Sequence, residues 1–153
     1  MVTEMGLFGM DSPGEMLNKL EKEYRELCAN PNDRDVAMNF FVTANHIPDY
    51  ICPNSKSEQA TMRRANAALA ACEYVANEGK HSFVGNKNII AVSHTELKGA
   101  AFDFGAFDSN ASQTGVPTIH LKGEAATELG PEISALQLAE KVLSFWRAEL
   151  VSK

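Results

Sequence analysis

Four histidines are the residues of this chain best suited to acid–base or metal chemistry, and their neighbours decide what each can do. His46 and Asp49 stand three apart in TANHIPDYIC, residues 43–52. On a helix that spacing puts them on one face, as imidazole and carboxylate ligands stand in bundle metal sites. Two ligands fall short of a zinc or iron centre, which needs a third. His81, with Lys80 and Asn77, falls at the end of a helical pattern, where cations complement the negative end of the helix dipole. The sharper use of that trio is contact with nucleic acid or a substrate phosphate. His94 and His120 lie in short β-branched runs that alternate in step, so both face one side of paired strands. Cross-strand histidines bind metal when a carboxylate or thiol is fixed beside them; with none in view, the pair reads as the solvated face of a ribbon.

The elements that must position these groups follow from spacing. Ser12-Pro13 with Glu15 supplies a cap, a first-turn proline and a capping box for a helix to about Cys28, with Met16, Leu17, Leu20, Tyr24 and Leu27 as its apolar stripe. After the turn Asn30-Pro31-Asn32-Asp33, a second helix carries Val36, Ala37, Phe40, Phe41, Ala44, Ile47 and Ile51 on one wide face. Ser57 is the expected cap of a third, alanine-rich helix running to about Glu78 and ended by Gly79. The period then changes: 88–95 (NIIAVSHT) and 116–122 (VPTIHLK) read as strands of an antiparallel ribbon, and an amphipathic helix returns from Pro131. The expected fold is therefore α+β: three N-terminal helices and a C-terminal helix as a bundle, with a small antiparallel β-ribbon between helices three and four. One domain is expected over 1–153, with 1–11 flexible and 83–125 the ribbon region.

Geometry separates His46 from His81. If helices two and three form a hairpin closing near 53–57, His46 lies about 9 Å from the turn and His81 roughly 36 Å along the other arm. His46 and Asp49 should instead face the start of helix three. Pro48 between them removes an N–H and crowds the Ala44 carbonyl, so the helix should kink or end there. The expectation is a polar staple: His46 and Asp49 tie the helix end to Arg63 or Arg64, with metal binding by His46 and Asp49 the weaker alternative.

Composition limits the partners. The chain has 153 residues, 44% hydrophobic and 22% charged, with 14 Lys+Arg against 20 Asp+Glu for a net charge of −6. That acidity disfavours direct nucleic-acid binding, which rests on clustered cations, and suits a basic protein partner. Cys28, Cys52 and Cys72 are odd in number and contain no CxxC, which fits reduced thiols in a cytoplasmic protein. No apolar run has signal-peptide or membrane-span length, and no P-loop, G-x-S-x-G, H-E-x-x-H or dinucleotide fingerprint occurs.

Two motifs carry a resemblance. NFFVTANHIPDY (39–50) and ANEGKHSF (76–83) resemble a functionally unassigned group of small bacterial and phage-type proteins that pair an NFFVTA-H-x-x-D-aromatic segment with a later A-N-G-x-K-H-F segment, two strands and a tryptophan-bearing last helix. The second motif is also faintly similar to the end of HEPN-type helical ribonucleases, in which an arginine and a histidine lie a few residues apart on one helix. Here Cys72, Glu73 and Tyr74 occupy the upstream positions and Arg64 is 17 residues from His81. The expectation is a non-enzymatic interaction protein without a cofactor, a homodimer through the alanine-rich or the last helix. In the phage or mobile-element setting that the resemblance implies, it would inhibit or regulate a nucleic-acid-handling machine. Phe102, Phe104 and Phe107 either cover the ribbon or form the contact surface. The runner-up is a HEPN-like ribonuclease or toxin using His81, Lys80 and Asn77; a metal-binding bundle ranks third.

Overall fold

Local chemistry starts each helix. In the computed structural model, which describes residues 12–80, 91–98 and 115–151, α1 spans Pro13–Ala29 and Ser12 Oγ accepts the Glu15 N–H at 3.2 Å. Helix α2, Arg34–Ile51, begins at Asp33, whose carboxylate accepts the N–H groups of Asp35 and Val36, and runs through Pro48 for one further turn. The long third helix expected from Ser57 to Glu78 is two helices. α3, Lys56–Arg63, is capped by Ser55 rather than Ser57, and α4, Ala67–Lys80, starts at Asn66, whose side chain accepts the Leu69 N–H at 2.9 Å. An asparagine inside an alanine-rich run competes for backbone donors, and here it wins.

The expected two-stranded ribbon is a three-stranded antiparallel sheet. β1 spans Val92–Lys98, β2 Val116–Leu121 and β3 Glu132–Ser134, in the order β1-β2-β3. Between β2 and β3 lies a short helix that sequence reading missed, α5, Gly123–Leu129, bounded by Gly123 (φ 61°) and Gly130 (φ 95°) in conformations that favour glycine. β3 occupies residues read as the start of the last helix. That helix, α6, Ala135–Val151, begins only after Ser134 and Gln137 exchange side-chain bonds to each other's N–H groups, a reciprocal capping box.

One contiguous apolar cluster joins α1, α2, α4, α5, α6 and the inner face of the sheet, and it buries nothing from α3. Phe40, Phe41, Ile47, Leu20, Leu27, Leu138 and Trp146 are at or below 2% exposed. Helix α6 lies against α1, α2, α4 and strands β2 and β3, with Arg147 clamped on Glu21 of α1 by two bonds of 2.6 Å. Those bonds hold the Glu21 carboxyl below its ordinary range. Small residues serve close packing within the chain: Ala68, Ala71 and Ala76 of α4 are buried, so an association through this helix would have to use its outer positions.

Candidate functional site

A β-bulge sets the outer face of the sheet. Val92 pairs with Leu121 and His94 with His120, leaving Ser93 as the extra residue. Strict alternation would put Val92 and His94 on one face; the extra residue lets Val92 stay in the core at 2% exposed while His94 turns to solvent. His94, His120 and Glu132 then form one row across the three strands, because His120 also pairs with Glu132. Glu96 stands two residues along β1 on the same face.

The side chains in this row touch. The two imidazoles stack with centroids 4.2 Å apart and planes 10° from parallel. His120 Nε2 lies 2.6 Å from Glu96 Oε1, and His120 Nδ1 lies 3.8 Å from Glu132 Oε2. Lys98 binds Glu132 across the sheet, and that hydrogen bond holds the Glu132 carboxyl below its ordinary range. Donor atoms of His94, Glu96 and His120 all lie within 4.8 Å of one another. The carboxylates that the sequence reading of this pair lacked are thus present: Glu96 lies just past the expected strand end at Thr95, and Glu132 arrives on a strand read as helix.

The helical pair sits elsewhere. His46 Nδ1 is 3.1 Å from Asp49 Oδ2, Arg63 Nη2 donates to Asp49 Oδ1, and Arg63 Nε donates to the Asn45 carbonyl at 2.9 Å. Arg63 therefore joins His46 and Asp49 in tying α3 to the last turns of α2. Arg64, named as the alternative partner, turns to α4 and makes two bonds of 3.2 Å to Glu73. Arg63→Ala should cost about 1–2 kcal/mol, since it strips a charged donor from the part-buried Asp49 carboxylate and from the Asn45 carbonyl in the turn before Pro48. Urea unfolding of the variant checks the value, and Arg63→Lys should recover less than half of it because a single ammonium cannot serve both acceptors at once.

Asn77 is half-buried on α4 and Lys80 is the last residue of that helix, while His81, Phe102, Phe104 and Phe107 lie outside the described residues. The thiols differ in access: Cys28 is exposed, Cys52 partly so, and Cys72 is buried against the Phe41 carbonyl, where burial pushes its thiol well up. On the inner side of the sheet a groove of about 290 Å³ opens between α2, α4 and strands β1 and β2. Met38, Phe41, Val75, Leu97, Pro117 and Ile119 line it, together with the charged residues Arg34, Asp35 and Glu78. Compared with family models, curated proteins and solved structures, the chain matches none.

Proposed function

We propose that this chain is a non-enzymatic interaction protein of the cytoplasm that holds a basic protein partner in the groove between α2, α4 and the sheet. One observation carries the reading: an apolar lining meets two acidic residues, Asp35 and Glu78, against one guanidinium, Arg34. Apolar centres within polar rims are the anatomy of protein interfaces, and an excess of one sign at the rim selects a partner of the other. The net charge of −6 acts in the same direction at longer range. The expected occupant is an aliphatic or aromatic side chain flanked by lysine or arginine. A nucleic-acid-handling enzyme, with its basic surface, is the kind of partner this acidity suits, and inhibition or regulation of such a machine is the proposed role. No helix of the described residues is long and apolar enough to cross a membrane. A homodimer belongs to the same proposal, using the partly buried Leu136, Phe145 and Leu150 of α6.

The test is affinity capture from the source cells with wild type, Met38→Asp and Glu78→Lys, followed by titration of the captured protein once purified. Met38 and Glu78 are part-exposed, so both variants should fold. Each should weaken binding at least about tenfold, and wild-type affinity should fall as salt rises from about 50 to 300 mM. A partner that ignores both substitutions, or one that carries no basic segment, overturns the groove reading. Native mass spectrometry of the same sample reads the number of copies.

A further inference from the structure

We infer that His94, Glu96 and His120 form a site for one divalent cation of the zinc class on the outer face of the sheet. Two imidazoles and a carboxylate are a borderline donor set, suited to zinc and its neighbours over magnesium or calcium, which prefer all-oxygen sites. Three protein donors leave one position of a tetrahedral ion open to water or to a group from outside.

The surroundings are arranged as metal ligands require. Ser93 Oγ lies 3.2 Å from the His120 carbonyl and 3.1 Å from His94 Nδ1, and the arrangement that satisfies both contacts has the hydroxyl donating to the carbonyl and accepting from Nδ1. Nδ1 of His94 therefore carries the hydrogen, and its Nε2 keeps the lone pair that binds a metal. The residue that makes the bulge thus both turns His94 outward and fixes its tautomer. His120 Nε2 and Glu96 Oε1 lie 2.6 Å apart, a contact that a cation between them replaces. Glu132 Oε2, 3.8 Å from His120 Nδ1 and anchored by Lys98, is beyond hydrogen-bond distance and would orient that imidazole only after closing on it. Donor atoms within 4.8 Å must close to ion–ligand distances of about 2.0–2.2 Å, and the stacked rings must turn to converge. His94 and Glu96 are exposed and His120 half-buried, so those rotations displace no core packing.

The experiment uses the full chain, stripped with chelator and titrated with Zn²⁺ alone by calorimetry, with thermal unfolding followed in parallel. Wild type should bind one ion per chain and unfold at a higher temperature in its presence. His94→Ala, His120→Ala and Glu96→Gln should each weaken binding at least about tenfold and lose the thermal gain, while His46→Ala keeps both. His94→Ala and Glu96→Gln lie on exposed positions of β1, so they test the site even if His120→Ala disturbs the central strand. Co²⁺ in place of Zn²⁺ should give the visible absorption of a four-coordinate ion. The inference falls if no binding tighter than millimolar is seen, if binding survives both β1 variants, or if His46→Ala abolishes it, which would move the ion to the helical pair. Glu96 also borders the groove and His94 does not, so partner docking is compared in His94→Ala, where loss of metal says nothing against it and the two proposals fail separately.

Discussion

Phe40→Ala is expected to cost about 3–5 kcal/mol, a large share of the ~5–15 kcal/mol that holds a domain of this size together. Phe40 is 0% exposed and sits at the centre of a three-ring cluster, 5.4 Å and edge-on from Phe41 and 6.2 Å from Tyr24. It joins α1 to α2, so truncation opens a cavity that neither helix can close without moving the other. Urea unfolding followed by circular dichroism measures the loss, and Phe40→Leu should recover about half because it restores most of the volume without the ring contacts. Equal midpoints for wild type and Phe40→Ala would mean that this core is not packed as described.

Arg64→Ala is the second large effect, at about 2–4 kcal/mol. Its cause is electrostatic: Glu73 is 6% exposed, and the Arg64 guanidinium binds both its oxygens. Removing the arginine leaves a carboxylate facing the interior without its partner, which costs about 3–5 kcal/mol for a fully buried pair. The arginine side chain itself is 42% exposed, so water reaches the site and the loss is discounted. Adding Glu73→Gln to the Arg64→Ala background should return more than half of the stability, because a neutral amide tolerates burial far better than an unpaired charge. A double variant no more stable than Arg64→Ala would show that the cost lies in the turn between α3 and α4 and not in the ion pair.

Much of the helical scaffold was legible because its signals are local. Ser12, Pro13 and Glu15 start α1, Asp33 starts α2, and the stripes through Phe40, Phe41 and Ile47 face the core as their spacing requires. Asn66 was also a local signal, hidden by the alanines around it, and Ser134 with Gln137 marked the true start of α6. β3 had no such mark. Three residues show no period, and Glu132–Ser134 is a strand only because β2 pairs with it. Two of the omissions met on the outer face of the sheet, where Glu132 came from the unread strand and Glu96 from beyond the expected end of β1. The helical pair His46 and Asp49 was visible because both residues lie on one helix. The sheet cluster was not, because its members come from three strands and a one-residue bulge decides which way His94 faces.

Trp146 is the chain's one tryptophan, 2% exposed, edge-on to Phe145 at 5.0 Å, with no acceptor for its N–H among the described residues. Optically, that isolation makes it a single-site reporter. An excited indole without water or an acceptor has little to relax against, so the folded chain should emit toward the blue and shift to the red when α6 leaves the core. Excited at wavelengths that the three tyrosines do not absorb, that signal comes from one known position, and the protein announces the state of its own interior in ultraviolet light without a label.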